Sequence, residues 1–334
     1  MTLRELTAEV PLVGPDGRLN PDAVGWARRP LVDTSGLLRR PGRAWGRTKR
    51  WEYWNVITPT HILALTVSSI DYAAVHEAWV YDRASAREWG RAVTLLPARG
   101  VQLPANLGGG VASGRAKDLQ IDVLPLPDGT RLSVRIPEAS FTVDVTRPAG
   151  HDCLAVVVPW SDRRFQYTVK DVALPATGTV SVEGRQHPVP DGSWAVLDHG
   201  RGRWPYDVAW NWAAASGVSD GRVIGLQLGG KWTQGTGSTE NGVVVDGRLH
   251  KIHDELDWSY DPSEWLRPWH LTGSGLDATM TPFHDKRSSS NLGLVAARTD
   301  QCFGTWSGSF TPPGGEPVGF DGLVGWAEDV HNRW

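Results

Sequence analysis

Short runs of apolar or alternating residues recur along this 334-residue chain without helical periods between them, and this rhythm limits the possible folds more than any other feature. Each run is bounded by Gly, Pro, Asp or Asn, residues that favour turns. In the first half we predict strands at 53–57, 61–69, 72–81, 92–96, 119–124, 131–136, 141–145, 153–158, 165–172 and 180–183. Closely spaced short strands of this kind predict an all-β fold of antiparallel sandwiches or barrels.

The same rhythm repeats in the second half, where we predict strands at 222–228, 242–245, 249–256, 269–272, 276–281, 292–297, 303–310 and 318–327. A chain of this length is long for one domain and comfortable for two. We therefore expect an N-terminal arm over residues 1–45, a first β domain over 46–185 and a second β domain over 186–334. Helices should be few and short, and 85–89 and 261–266 are the candidates.

The window from residue 191 to residue 212 gathers more site-forming residue types than any other part of the chain. It opens on an Asp-Gly turn signal, after which strand alternation places Trp194 and Asp198 on one face and His199 on the other. One face of this strand therefore ends in a carboxylate beside an indole. The arrangement predicts a pocket in which Asp198 or His199 transfers protons.

Two glycines after His199 predict a loop, which Trp204 closes before a second strand. That strand, over 208–215, should carry Trp210 and Trp212 on one side, so that two indoles line one wall. Further along, a loop rich in Gly, Ser and Thr would turn Glu240 towards the same pocket.

The same residues also fit a purely structural corner, in which Asp198 pairs with Arg201 or Arg203 and the Trp side chains fill the core. The composition bears on this choice, because the chain has 18 Trp against 6 Phe and 6 Tyr. Trp combines a large apolar surface with one N–H group that needs a partner. Proteins rich in Trp therefore tend to have partly hydrated surfaces in their cores or ligand clefts.

Four short motifs carry a resemblance to known families. The run G-x-W-x-x-x-D-H at 192–199, followed by W-N-W at 210–212, is similar to the corresponding run of carotenoid 1,2-hydratase and AttH-like proteins. The motif W-E-Y-W at 51–54 resembles the one that opens those proteins, and G-W-A-E at 325–328 resembles the one that closes them. Over its whole length, the chain resembles most closely the uncharacterised bacterial DUF2804 family, which has the same signature.

The resemblance implies two packed lipocalin-like domains and a hydratase-like mechanism. Asp198 would protonate an alkene or enol, His199 would be its polar partner, and indoles would stabilise the cation. The residues that we expect to contact the substrate are Tyr53, Trp54, Trp194, Arg201, Trp204, Trp210, Trp212 and Glu240. This chain has Arg201 where the hydratase-like pattern has an aromatic residue. Whether Arg201 points towards Asp198 decides whether Asp198 can hold a proton near neutral pH.

Composition and motifs exclude several other functions. The net charge of −3, with 21% charged residues, provides no overall field to recruit nucleic acid. The two cysteines form neither a disulfide framework nor a metal site, and we expect no metal and no cofactor. We found no signal peptide and no run of about 18 apolar residues, so we expect a cytoplasmic protein without a transmembrane segment. A Gly-x-Ser-x-Gly elbow is also absent.

Three functions stay open. The first is an enzyme of hydratase, isomerase or cyclase type, which acts by acid catalysis on an apolar, unsaturated, isoprenoid- or lipid-like small molecule. The second is a carrier that binds such a molecule without chemistry. The third is an interaction partner with a vestigial pocket. The sequence does not indicate an oligomeric state.

Overall fold

The structure, a computed structural model, describes residues 3–38, 45–291 and 295–334. Among these residues strands make up 64% and helical residues 2%, so the all-β prediction is confirmed. The helical residues form two short 3-10 turns, Pro21–Ala23 and Ser35–Leu38. The helices predicted at 85–89 and 261–266 are wrong, because the first spans a turn and the start of a strand, and the second consists of hydrogen-bonded turns.

The N-terminal residues form three two-residue strands, β1 (Val10–Pro11), β2 (Trp26–Ala27) and β3 (Val32–Asp33). Strands β1 and β3 pair in parallel, and β2 pairs with a strand of the first large sheet. Apolar side chains of this segment, including Leu12 and Leu37, pack with Phe165 and Tyr167 in one buried cluster. The segment therefore packs against the inner face of the first large sheet, where Tyr167 is the register partner of Arg201.

Within the described residues the first sheet has 13 strands and curls into an antiparallel half-barrel. Its order is β7-β6-β5-β4-β15-β14-β12-β11-β10-β9-β8, with β13 pairing β14 and β2 pairing β13. These strands are β4 (Thr48–Ile57), β5 (His61–Ser69), β6 (Ala74–Asp82), β7 (Arg87–Leu95), β8 (Val101–Gln102), β9 (Ala112–Ala116), β10 (Leu119–Leu126), β11 (Gly129–Arg135), β12 (Ala139–Thr146), β13 (Leu154–Pro159), β14 (Phe165–Val182) and β15 (Arg185–Arg203).

The second sheet has nine strands among the described residues and curls in the same way. Its order is β19-β18-β17-β16-β24-β23-β22-β21-β20. The strands are β16 (Asp207–Ser219), β17 (Arg222–Gly230), β18 (Asn241–Val245), β19 (Arg248–Ile252), β20 (Asp257–Ser259), β21 (Trp269–Gly273), β22 (Leu276–Asn291), β23 (Ala296–Phe310) and β24 (Val318–Arg333). The two half-barrels agree with two packed lipocalin-like domains.

Side-chain alternation divides the apolar residues between the inside of each half-barrel and the space between them. On β15, Ala195 and Leu197 belong to the core of the first sheet, whereas Val196 belongs to a cluster that both sheets share. On β16, Ala213 lies in the core of the second sheet and Trp212 in the shared cluster. A strand at this interface therefore sends every second residue between the sheets.

The domain bounds 1–45, 46–185 and 186–334 stay predictions. The chain passes from the first sheet to the second between Arg203 and Asp207. Residues 1–2 and 39–44 of the predicted arm, and residues 292–294 of the strand predicted at 292–297, lie outside the described residues. In the part of the chain that the structure describes, no helix has the length and apolar character needed to cross a bilayer.

Candidate functional site

Asp198 lies on the face of β15 that points between the sheets, and three donors surround its carboxylate. Trp51 Nε1 donates to Asp198 Oδ2 at 2.9 Å, and Thr168 Oγ1 donates to Oδ1 at 3.0 Å. Lys170 Nζ lies 3.2 Å from the same Oδ1, because Lys170 and Asp198 are direct partners in the β14–β15 register. Donors placed in this way stabilise the charged form of a carboxyl group.

Trp51 reaches Asp198 by packing over Gly200, the next residue on this face of β15. A Cβ atom at Gly200 would lie 2.2 Å from two atoms of the Trp51 ring. No side chain larger than hydrogen fits at residue 200 while Trp51 holds this position. The glycine therefore allows the hydrogen bond from the indole to Asp198.

Lys170 connects this carboxylate to the second sheet. Its Nζ atom lies 3.5 Å from Glu240 Oε2 and 3.8 Å from the centre of the Trp212 ring, a cation–π distance. Burial by itself would lower the pKa of Lys170, but the charges of Asp198 and Glu240 raise it above its ordinary value. Lys170 is therefore a charged group held between two acids and an indole.

Two glutamates, Glu328 on β24 and Glu240 just before β18, complete the acidic centre, and each is bonded to an indole. Trp232 Nε1 donates to Glu240 Oε1 at 2.6 Å. Trp210 Nε1 donates to Glu328 Oε1 at 2.9 Å, and Gln301 Nε2 donates to Glu328 Oε2 at 3.0 Å. Burial raises the pKa of both Glu240 and Glu328 to about 7, against the opposing effects of Lys170 and of the indole hydrogen bonds. Both carboxyl groups are therefore partly protonated at neutral pH.

Six indoles beside these acids form one aromatic array, of which Trp204 is the centre. The Trp204 ring stacks on Trp232 at 5.5 Å and meets four other indoles edge-on, at Trp51, Trp160, Trp210 and Trp334. Tyr53 and Trp212 belong to a second group of rings, in which their centres lie 5.6 Å apart and Trp326 contacts both. The Tyr53 hydroxyl accepts hydrogen bonds from Asn55 at 3.1 Å and from Gln301 at 3.3 Å.

Arg201 and His199 lie on the opposite face of β15 from Asp198, inside the first half-barrel. The strand continues through Arg203 instead of ending at the predicted loop, so residues 198 and 201 point in opposite directions. Arg201 donates to the carbonyl oxygens of Trp51, Gly200 and Pro104, and lies 3.5 Å from Glu52. The pairing of Asp198 with Arg201 that the sequence left open is therefore not formed, and Lys170 is the cation beside Asp198.

His199 is fully buried near Glu52, with Nδ1 3.5 Å from Glu52 Oε1. Burial and the charge of Arg201 lower the pKa of His199 to about 4, so its imidazole is neutral at neutral pH. The structure does not bring it to the acidic centre.

Two further predicted contacts lie outside the array. Trp54 faces the core of the first sheet, because it follows Tyr53 in a regular strand and the two point in opposite directions. Trp194 shares the face of Asp198 but lies four residues earlier on β15, and none of the ring contacts among the described residues includes it. The structure brings together Tyr53, Asp198, Trp204, Trp210, Trp212 and Glu240. Within the described residues, no group of His, Cys, Asp and Glu side chains is placed to hold a metal ion.

Comparison with known proteins gives the family. Residues 3–334 match the family described as "Domain of unknown function (DUF2804)". The chain belongs to the DUF2804 family. Among curated proteins, none matches the sequence of this DUF2804 chain at a significant level.

Among solved structures, the DUF2804 chain is similar to a protein of Nitrosomonas europaea assigned as AttH, with a TM-score of 0.54 and 11% identity over 85% of this chain and 92% of that one. It is also similar to kievitone hydratase of Nectria haematococca, with a TM-score of 0.50 and 12% identity over 86% of this chain and 89% of that one. The family and the AttH-like fold expected from the motifs are thus confirmed. At these identities the likeness shows the fold alone.

Sequence reasoning assigned no role to several residues of this centre in the DUF2804 chain. Lys170 stands in a run predicted only as a strand, and Gln301 stands in none of the motifs. Two others were within reach, because Trp51 opens the W-E-Y-W motif and Glu328 ends the G-W-A-E motif. The signal that could have identified them is the indole that begins the first of these motifs and the carboxylate that ends the second.

Proposed function

We propose that this DUF2804 protein is an acid-catalysing enzyme of hydratase, isomerase or cyclase type, which acts on an apolar unsaturated small molecule bound between the two sheets. The observation that carries the proposal is the pair of buried glutamates, Glu240 and Glu328, whose pKa values lie at about 7. A carboxyl group with this pKa holds a proton for part of the time at neutral pH and is well matched to donate it. Such a shift costs about 3 kcal/mol per group, which the fold must supply.

We place the acid at Glu328 in preference to Glu240 or Asp198. The side chain of Glu240 is almost completely enclosed, with 1% exposure, whereas Glu328 keeps 6% and lies beside the half-buried rings of Trp210 and Tyr53. Asp198 accepts hydrogen bonds from Trp51 and Thr168 and forms an ion pair with Lys170. These surroundings suit a proton acceptor better than a proton donor. Asp198 therefore takes the role of the base in this proposal.

The proposed reaction begins when the O–H bond of the Glu328 carboxyl breaks and a C–H bond forms at one carbon of the substrate double bond. The face of the half-buried Trp210 stabilises the positive charge that develops on the other carbon, since Lys170 already covers the Trp212 ring. In a hydratase, water adds to that carbon and its proton passes to Asp198. In an isomerase or a cyclase, the cation instead loses a neighbouring proton, or is attacked by a second double bond before that loss.

Lys170 supports this division of roles between the acids. It lies within 3.2 Å of Asp198 and 3.5 Å of Glu240, and its charge favours the ionised form of the carboxyl groups around it. Its charge and the indole hydrogen bond oppose the effect of burial on Glu328, which leaves the pKa of that group near neutrality.

The test is incorporation of label from water. The protein is incubated with a hexane extract of the cells that naturally make it, in water that carries both deuterium and oxygen-18, and the products are analysed by mass spectrometry. A hydratase gives products with both labels, whereas an isomerase or cyclase gives deuterium alone. The rate should fall as the pH rises above about 7, because the acid form of Glu328 is then lost.

The matched variants are Glu328→Gln and, as a control, the exposed Glu316→Gln. Glu328→Gln should abolish incorporation while still retaining extract components in native mass spectrometry, and Glu316→Gln should behave as the wild type. If the wild type retains an extract component but no product carries a label, catalysis is refuted and the carrier function remains. Full activity of Glu328→Gln would instead refute the assignment of the acid.

A further inference from the structure

We propose that the mouth of the half-barrel formed by the second sheet is a second binding site, which takes an organic anion with a planar apolar body. A cleft of about 740 Å³ opens there, within the range of small-molecule sites. Side chains of β16, β23 and β24 line it, together with the 260–265 segment between β20 and β21. The cleft and the acidic centre lie on opposite faces of β24, because Asp329 lines the cleft and Glu328, its neighbour in the strand, belongs to the centre.

Two acids, Asp300 and Asp329, lie on the floor of the cleft. Asp300 and Asp329 are direct partners in the β23–β24 register and point into the same half-barrel, each with a side chain only 8% exposed. Like charges directly opposite each other on a sheet are destabilising. Buried ion networks of this kind contribute little net stability compared with well-packed apolar residues. The two acids are therefore poor candidates for a structural role.

Two cations cover these acids from the side of the solvent. Arg298 forms ion pairs with both Asp300 and Asp329, and Lys231 forms one with Asp329. The Tyr260 hydroxyl donates to Asp329 as well. The side chains of Lys231 and Arg298 are 37% and 42% exposed, so a ligand that enters the cleft meets the two cations before it meets the acids.

The ion pairs fix Lys231 and Arg298 in position without using all their donors. An ammonium group has three N–H donors and a guanidinium has five. Lys231 uses two of its donors, on Asp329 and on the Tyr260 hydroxyl. Cations held in a fixed geometry by buried acids bind a carboxylate or sulfonate at a low cost in side-chain entropy.

The apolar part of the cleft is a group of parallel rings. Tyr260 stacks on Trp269 with centres 4.0 Å apart and planes 4° apart, and Trp265 lies within 6.0 Å of both rings. Trp269 is fully buried, but Tyr260 and Trp265 are half-buried and line the cleft, with the exposed Pro262 beside them. Such a surface favours a flat apolar molecule, which the two cations would hold by its charged end.

The experiment uses two probes that differ only in charge, 2-naphthoate and the neutral 2-naphthamide. Both are titrated into the full-length protein in an isothermal calorimeter. Naphthoate should bind at least tenfold more tightly than naphthamide. Arg298→Gln should weaken the affinity for naphthoate at least tenfold and change the affinity for naphthamide by less than twofold, because only the anion binds the guanidinium.

Arg298→Gln removes the cation that Asp300 and Asp329 share and can reduce folding, so a second variant keeps every ion pair. Ala209→Trp places a large ring in the cleft from β16 and should abolish binding of both probes, whereas Ala92→Trp, at an exposed alanine of β7, should leave both affinities unchanged. The proposal is overturned if the wild type does not bind naphthoate at millimolar concentration, if both probes bind equally, or if Ala209→Trp binds naphthoate as the wild type does.

Discussion

The free energy of unfolding of Glu328→Gln, relative to that of the wild type, should be higher at alkaline pH than at acidic pH. The pKa of this group is raised from 4.5 to about 7 in the folded protein, so the native state holds the proton more tightly than the unfolded chain does. Its contribution to stability is fully present below pH 4.5 and is lost as the pH rises through about 7. Between about pH 5 and pH 8 this group should therefore lower the free energy of unfolding of the wild type by about 2–3 kcal/mol. The variant lacks the group and should not show this decrease.

The quantity to measure is the difference between the variant and the wild type at each pH. Burial lowers the pKa of His199 to about 4, so its contribution to stability rises with pH across the same window and partly masks the glutamate in the wild type alone. The amide that Glu328→Gln introduces also requires Gln301 to reverse its own amide, because the two groups would otherwise present donors to each other. That cost does not depend on pH and cancels when the two pH values are compared.

Urea unfolding followed by circular dichroism at pH 5 and pH 8 gives the four free energies of unfolding. Glu316→Gln, at an exposed position in the turn between β23 and β24, serves as the control and should show no change between the two pH values. If Glu328→Gln differs from the wild type by the same amount at pH 5 and at pH 8, then Glu328 is ionised in the native protein and the acid role proposed for it has no basis.

Three further outcomes follow from the same structure. Lys170→Met leaves Asp198 buried without its cation, and urea unfolding should show a loss on the order of 3–5 kcal/mol. Gly200→Ala forces the Trp51 ring from its place over β15, and thermal unfolding should show a loss of about 1–3 kcal/mol, with no such loss for Gly319→Ala at an exposed position of β24 where a Cβ atom has room. Both cysteine thiols are buried and burial raises their pKa, so Ellman's reagent should react with neither in the native protein and with both after unfolding.

The class of fold was predictable because strand periodicity and turn residues are local signals. Alternation correctly placed Trp210 and Trp212 together and Asp198 opposite His199. The prediction that misled was the loop after His199, which suggested that Arg201 could turn back to Asp198. Glycines 200 and 202 predict a loop, whereas Gly200 gives room for the Trp51 ring within a continuous strand.

The composition of the acidic centre could not be predicted, because it depends on register and on packing between the two sheets. Lys170 meets Asp198 only through the pairing of β14 with β15, and it reaches Glu240 only because the two half-barrels pack together. The pKa of Glu328 depends on how completely it is removed from water, which no local pattern encodes.

Three hydrogen bonds between indoles and the carboxyl groups of the acidic centre give this protein an internal optical reporter. Trp51, Trp210 and Trp232 each donate to an acid of the same centre, and ionisation of Glu240 or Glu328 changes the electric field across the bonded ring. The emission of the unlabelled protein should therefore shift in a pH titration with a midpoint near 7. Proton uptake and release can thus be followed spectroscopically before any substrate has been identified.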